Sequence, residues 1–174
     1  MNTRRLQKRY AVLLNADVVG FSSMMAHDSR GTIHALLEST RWLSRVVERF
    51  GGRVVDAPGD NLMAEFVNEA EAVKCAMHVQ WHERTRNRHL PEHLQIRFRI
   101  GIQAGEVFDL GGRLYGNAVN ISARLQGCAD PGGILVSEDV AERCRGAGVR
   151  LAPERSVRRL KNIPEPIGSF AVAL

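Results

Sequence analysis

The chain has 174 residues, 44% of them hydrophobic and 25% charged, which suits one soluble domain with a sizeable core. Its formal net charge is +5, but the basic residues are scattered without interleaved aromatic residues, so we expect no nucleic-acid partner. No apolar run is long enough to cross a bilayer or to form a signal peptide, and the three cysteines lack metal-ligand spacing, so we expect a cytoplasmic protein with free thiols and no membrane contact.

The first stretch with a chemical signal is YAVLLNADVVGF, residues 10–21. Its apolar start, Tyr10–Leu14, predicts a buried strand, and Asp17 follows at the end of that strand with Gly20 just beyond it. A carboxylate at a strand end beside an open turn is a place where a divalent cation can be held. The same pattern also fits an aspartate that only caps a turn, so this stretch alone leaves both interpretations open.

A β-hairpin is predicted next, after one or two helices. Ser22–Arg30 is a loop or a short helix, and Gly31–Phe50 has the apolar spacing of a long amphipathic helix. Arg53–Ala57 and Leu62–Phe66 predict two strands, and the turn residues between them place Asp60 at the tip. A hairpin beside the first strand would bring its tip next to the strand-ending aspartate. Two carboxylates that converge from separate elements suit two-cation phosphoryl transfer.

The second half of the chain begins with a helix over Glu69–Arg88, capped by Asn68, and with two strands, Gln95–Gln103 and Glu106–Leu110. The order strand, helix, strand, strand, helix, strand is that of a ferredoxin-like βαββαβ core. The remaining predicted elements are a helix over Asn117–Gly127, a strand over Ile134–Val136, a short helix capped by Ser137, and two strands within Val149–Leu174.

Six pieces of the sequence, in this order, resemble the class III nucleotidyl cyclases, the adenylate and guanylate cyclase catalytic domain. They are ADVVGFS, GGRVV with PGDNLMAEF, RIGIQAGEV, LYGNAVNISARLQ, DPGGILVS and LKNIPEPI. The resemblance runs from about Arg4 to Leu174. It implies that residues 1–174 form a single nucleotidyl cyclase catalytic domain, an α+β sandwich with the βαββαβ core and additional C-terminal strands.

The resemblance also implies roles for individual residues. Asp17 and Asp60 would hold two divalent cations per site, Mg²⁺ or Mn²⁺, with the backbone carbonyl of Val18 completing the ligand shell. Asn120 and Arg124 match the pair that orients the ribose and neutralises the α-phosphate in the transition state. Their spacing of four places them on one helix face, where a surface amide and a surface charge are the plainer alternatives.

Two further positions match phosphate-binding residues of the family, Arg99 and Lys161. Arg99 lies inside an apolar strand, where an unpaired guanidinium would be costly, whereas Lys161 has other basic residues around it.

The family takes its metal site from one subunit and its transition-state pair from the other. The resemblance therefore implies a head-to-tail homodimer with two composite sites, each binding a nucleoside triphosphate.

Two base-selecting positions depart from the family pattern, Asp56 and Arg113. Adenylate cyclases usually have Lys at the first and Asp or Thr at the second, and guanylate cyclases have Glu and a small residue. An ionised Asp56 only accepts hydrogen bonds and Arg113 only donates them. That pair suits a base edge with an imino N–H beside a carbonyl oxygen, as in guanine and uracil, although the two side chains could instead pair with each other across the interface.

The length of the Arg113 side chain favours uracil, because it occupies room that a purine would need. The short chain also looks like the stand-alone pyrimidine cyclases of bacterial Pycsar antiphage systems, which make cyclic UMP or cyclic CMP. We therefore expect a cyclase that prefers UTP. A guanylate or adenylate cyclase, and an inactive cyclase-like regulatory domain, are the alternatives. A degenerate domain would lose its metal aspartates as readily as its base pocket, so their retention favours an enzyme.

Overall fold

A computed structural model describes residues 6–174, so Arg4 and Arg5, where the resemblance begins, lie outside the described residues. The strands are β1 (Gln7–Val18), β2 (Arg53–Asp56), β3 (Asn61–Phe66), β4 (Phe98–Leu110), β5 (Arg113–Tyr115), β6 (Ile134–Ser137), β7 (Ser156–Arg158) and β8 (Ile167–Ala171). The α-helices are α1 (Phe21–His27), α2 (Ser29–Arg49), α3 (Glu69–Asn87), α4 (Asn117–Cys128) and α5 (Glu138–Arg143), with a 3-10 turn at Glu92–Leu94.

Over residues 6–174, eight strands form one sheet in the order β2-β3-β1-β4-β6-β8-β7, with β5 pairing only with β4. The first four of these strands pair antiparallel, which is the arrangement of a ferredoxin-like βαββαβ unit. Beyond β4, the sheet continues with β6 in parallel and then β8 and β7 in antiparallel pairing. The α+β fold with additional C-terminal strands is therefore confirmed.

β1 sends alternate side chains into two different cores, because successive residues of a strand point to opposite faces of the sheet. Val12 and Leu14 are buried in the main core, which α2 and α3 cover. Ala11 and Leu13 point to the opposite face, where they pack with the start of α4. Asp17 belongs to this second set, so the strand delivers its carboxylate to the face that α4 covers.

α4 lies close to the sheet because Gly101 on β4 has no side chain. A Cβ at position 101 would collide with the carbonyl oxygen of Ser122 and the amide nitrogen of Gln126, both in the α4 backbone. A buried hydrogen bond of 2.7 Å from Asn15 Nδ2 to Ser122 Oγ also ties α4 to β1. The position of α4, which carries Asn120 and Arg124, therefore depends on contacts with the two central strands.

Most predicted elements are present, and the helix caps at Asn68 and Ser137 are confirmed. The prediction of separate strands at Gln95–Gln103 and Glu106–Leu110 was wrong. β4 is continuous because Ala104 continues the pairing opposite Val12 along the unbroken β1. β5 was missed because three residues are too few to show an alternation.

The three cysteines are unpaired, as predicted. No helix within residues 6–174 combines the length and the apolarity that a membrane span needs.

Candidate active site

Asp17 lies at the end of β1 between two polar neighbours. It pairs with Asn61 on β3 and with Arg99 on β4, and directly paired residues point to the same face of a sheet. Burial raises the pKa of Asp17, and the nearby charge of Asp60 raises it further, whereas a hydrogen bond from Asn61 and the charge of Arg99 oppose the rise. Asp17, Asp60 and Arg99 are thus brought together in one chain.

The backbone beyond Asp17 turns directly from β1 into α1. Val18 is buried, with its side chain in the main core. Gly20 has φ 70°, in the left-handed region that favours glycine, and this conformation lets the chain turn from β1 directly into α1. The Val19 amide donates to the Arg97 carbonyl at 2.8 Å, which holds the end of β1 against β4.

These groups fit a hard divalent cation. Burial and, to a smaller extent, the charge of Asp60 raise the pKa of Asp17, and a cation between the two carboxylates would remove their repulsion. Within residues 6–174, no three His, Cys, Asp or Glu side chains are grouped to hold a metal ion. Asp17 and Asp60 would therefore share the cation with backbone and phosphate oxygens, an arrangement that suits Mg²⁺.

Arg99 is partly buried, and its Nε is a buried donor without an acceptor among the described residues. Leaving such a donor unpaired costs about 1–3 kcal/mol. A phosphate oxygen next to Asp17 would supply the missing acceptor. This orphaned donor supports the phosphate-binding role that the resemblance implied for Arg99.

Asn120 and Arg124 are exposed on the outer side of α4, opposite the buried Ser122 and Leu125 that pack on the sheet. Neither side chain has a hydrogen bond or an ion pair within the described part of the chain. Arg124 is also not among the charged groups that shift the pKa of Asp17. Within one chain, this pair makes no hydrogen bond or ion pair with the two carboxylates.

Lys161 is exposed on a turn that the Ile163 amide closes by donating to the Leu160 carbonyl at 3.1 Å. Leu160 and Ile163 are buried against the apolar side of α4, in a cluster that includes Leu125. The turn is therefore anchored to the helix that carries Arg124.

The two base-selecting candidates lie on different hairpins. Asp56 is exposed at the end of β2, and its Oδ1 accepts a hydrogen bond of 2.9 Å from the Ala57 amide, which leaves its second oxygen for another donor. Arg113 is exposed at the start of β5. No ion pair joins the two side chains within residues 6–174 of a single chain.

Sequence reasoning missed two parts of this region. The sequence pattern identifies Asn61 only as one of the turn residues between the two hairpin strands, whereas in the structure it lies directly after Asp60 and opposite Asp17. Arg9 was counted with the scattered basic residues, yet it forms ion pairs with Glu65 and Asp109. Pairing across distant strands leaves no signal in the local sequence.

The family model of the adenylate and guanylate cyclase catalytic domain matches residues 6–161. A putative adenylate cyclase 3 from Rhizobium meliloti (strain 1021) is 34% identical over 170 residues, which are 96% of this chain and 29% of that protein. A uridylate cyclase from Rhodovulum sp. (strain MB263) is 28% identical over 136 residues, which are 66% of this chain and 57% of that protein.

Among solved structures, an adenylate/guanylate cyclase/hydrolase from Silicibacter pomeroyi superposes with a TM-score of 0.89 at 27% identity, covering 98% of this chain and 99% of that one. The chain spans less than two thirds of the length of both curated relatives. The family model covers most of the chain, and the fold agrees with it. The chain therefore belongs to the class III nucleotidyl cyclases, as an adenylate and guanylate cyclase catalytic domain.

Proposed function

We propose that this protein converts a nucleoside triphosphate, preferably UTP, into a 3′,5′-cyclic nucleotide and pyrophosphate, in a homodimer with two composite sites. The observation that carries this proposal is the convergence of Asp17, Asp60 and Arg99 at the end of β1, with two neighbouring carboxylates and an orphaned guanidinium donor. Together these groups are suited to a triphosphate and its cations. In the proposed reaction, the ribose 3′-hydroxyl loses its proton and its oxygen bonds to the α-phosphorus. The bond between the α-phosphorus and the oxygen that bridges to the β-phosphate breaks, and pyrophosphate leaves.

Asp17 and Asp60 would hold the cations, Mg²⁺ or Mn²⁺, with the Val18 carbonyl. Bound there, the cations would supply charge neutralisation and a more acidic 3′-hydroxyl. Arg99 would donate to a phosphate oxygen, since its buried Nε has no other acceptor among the described residues. This half of the site comes from β1, β4 and the β2–β3 hairpin of one chain.

The other half would come from the partner. Asn120 and Arg124 point outward from α4, so a second chain packed on that side would bring them to the triphosphate of the first. Asn120 would orient the ribose, and Arg124 would neutralise the charge that develops on the α-phosphate. Lys161 would bind phosphate from the turn anchored beside α4.

The base preference rests on Asp56 and Arg113. The unoccupied oxygen of Asp56 would accept the imino N–H of uracil, and Arg113 would donate to the neighbouring carbonyl oxygen. The similarity to a uridylate cyclase supports this choice, and the similarity to a putative adenylate cyclase supports ATP as the alternative substrate. A cyclic UMP product would act as a signal, in keeping with the likeness to antiphage cyclases.

The test is to incubate the purified protein with Mn²⁺ and each of the four nucleoside triphosphates, and to quantify cyclic nucleotide and pyrophosphate. We expect UTP to have the highest kcat/KM, about tenfold or more above that of ATP, because a mismatched base edge leaves buried polar groups unpaired. A ranking with ATP first would contradict the base assignment. No product from any of the four would favour the inactive regulatory domain.

A further inference from the structure

Charged groups connect four strands and a turn on the α4 side of the sheet. Arg9 on β1 donates through Nη2 to Glu65 on β3 at 2.6 Å and to Asp109 on β4 at 2.9 Å. Arg53 on β2 donates to the other Glu65 oxygen at 2.9 and 2.7 Å. The other Asp109 oxygen accepts the amide of Gly112 at 2.8 Å. We call these five residues the Arg9 network.

The centre of the network is more enclosed than an ordinary surface ion pair. The side chains of Arg9, Glu65 and Asp109 are 34%, 14% and 20% exposed, whereas Arg53 at its edge is 50% exposed. By comparison, the adjacent pair Lys8–Glu106, which also joins β1 to β4, is 53% and 69% exposed. The hydrogen bond with Glu65 raises the pKa of the Arg9 guanidinium, and the hydrogen bond from Arg9 lowers the pKa of Asp109. Charge-assisted hydrogen bonds of this kind are the stronger ones in proteins.

The network joins the two hairpins that carry the base-selecting candidates. Arg53 and Glu65 belong to the β2–β3 hairpin, in which Asp56 is the last residue of β2. Asp109 binds the amide of Gly112, the residue directly before Arg113 in the β4–β5 hairpin. A Cβ built at Gly112 would lie 3.9 Å from Arg53 Nη1, so the two hairpins also meet directly.

Neither hairpin end is held firmly by sheet pairing. β5 pairs only with β4, over three residues, so backbone pairing attaches it on one side. The register of β2 against β3 shifts between Val54 and Asp56. Arg9 contacts one carboxylate from each hairpin, Glu65 on β3 and Asp109 on β4, the strands that pair with β1 on its two sides. It thus adds a side-chain connection between two hairpins whose outer strands, β2 and β5, are held less firmly.

We propose that Arg9 is a positioning residue for base selection, which sets the separation of Asp56 and Arg113 by joining the hairpins that carry them. This inference rests on the proposed function, because the two side chains read a base only if the site binds a nucleotide. Hydrogen bonding to a base edge needs its donor and acceptor placed within about 0.5 Å. Without Arg9, Glu65 would keep its ion pair with Arg53, but the side-chain link between Glu65 and Asp109 would be lost. The ends of the two hairpins could then shift relative to each other.

The experiment compares Arg9→Gln with Lys8→Gln, since the two residues are adjacent on β1 and each is ion-paired to β4. Steady-state kcat and KM are measured for all four nucleoside triphosphates. We expect Arg9→Gln to raise KM for the preferred substrate about tenfold, to change kcat by less than about threefold, and to reduce the preference over the other bases about tenfold. Lys8→Gln is expected to behave as the wild-type protein.

Two further variants separate positioning from general stability. Asp109→Asn weakens the connection to the β4–β5 hairpin alone, and should reduce base preference even if Arg9→Gln fails to fold. Arg9→Lys keeps the charge but loses the planar guanidinium, and should recover part of the preference. Hydrogen exchange at the Gly112 amide, measured without nucleotide, should be faster in Arg9→Gln and unchanged in Lys8→Gln.

The outcomes that overturn the inference differ from those that overturn the proposed function. A fall in kcat/KM by one common factor for all four substrates, with preference intact, would show that Arg9 only stabilises the fold. Unchanged kinetics in both Arg9→Gln and Asp109→Asn would also overturn it. If the wild-type protein neither cyclises a nucleoside triphosphate nor binds its 3′-deoxy analogue, the proposed function fails and this inference fails with it.

Discussion

The folded chain disfavours the ionised form of the Asp17 carboxylate. Burial and the charge of Asp60 raise its pKa above the ordinary value of 3.8, so the folded chain holds the proton more tightly than the unfolded chain does. The contribution of Asp17 to stability is therefore fully present below that value, and is lost as pH rises through the folded pKa. At neutral pH the charged carboxylate therefore works against folding, and a cation bound beside it would offset that cost.

We therefore predict that Asp17→Asn raises the Tm of the metal-free protein at pH 7 and removes most of the stabilisation by Mn²⁺. In the wild-type protein, a cation at 100 times its dissociation constant should add about 2.7 kcal/mol to the free energy of unfolding. Thermal unfolding with EDTA and with Mn²⁺ measures both effects. Glu142→Gln, at an exposed position on α5, is the control. An Asp17→Asn protein that Mn²⁺ stabilises as strongly as the wild type would place the cation elsewhere.

The sequence predicts those parts of the site that depend on neighbouring residues, and misses those that depend on residues far apart in the chain. Asp17 and Asp60 lie in local patterns, a strand end and a hairpin tip, and the structure brings these two side chains into electrostatic contact. The contacts of Arg9 span 56 and 100 positions along the chain, and no local pattern predicts them. The orphaned Nε of Arg99 likewise emerges only when β4 lies next to β1.

The elements show the same division between local and distant causes. The β2–β3 hairpin and the cap of α3 were predicted because their turn and cap residues act within a few positions. The single long strand β4 was not predicted, because Gly105 suggests a break in the strand. In the structure Gly105 pairs with Ala11 on β1, and the strand continues through it. The close packing of α4 was not predicted either, because it depends on a glycine in a different element.

That packing leads to a prediction that compares two glycines. Gly101→Ala should lower the free energy of unfolding by about 1–3 kcal/mol or more, since the added methyl group collides with the α4 backbone at Ser122 and Gln126. Gly127→Ala, within α4 itself, meets open space and should raise the free energy of unfolding by about 0.5–1 kcal/mol. Denaturant unfolding measures both variants.

The same two variants should separate in activity. Displacement of α4 would move Asn120 and Arg124, so Gly101→Ala should lower kcat beyond what its stability explains, while Gly127→Ala keeps the wild-type rate. A Gly101→Ala protein with unchanged stability would contradict the close approach of α4 to β4.

At the scale of the whole molecule, the question is whether one chain contains a complete site. Asp17 points to the sheet face on which α4 packs, and Asn120 and Arg124 are exposed on α4 itself. In the proposed reaction these two groups would have to meet at the same triphosphate, although they make no hydrogen bond or ion pair with each other within one chain. A second copy of the chain resolves this if each copy presents its α4 to the carboxylates of the other, which gives two equivalent sites per dimer.

Complementation between inactive variants tests this arrangement. Asp17→Asn and Arg124→Ala should each be inactive alone, and mixing them should restore about a quarter of wild-type activity, because half of the dimers are mixed and each mixed dimer has one intact site. Mixing Asp17→Asn with Asp60→Ala is the matched control. Both changes affect the carboxylate half of a site, so every site in that mixture is damaged and no activity should return. Subunit exchange is verified in both mixtures by mass spectrometry of differently tagged chains. If exchange occurs and the first mixture stays inactive, or if both mixtures recover equally, the site is not shared between subunits in the way proposed.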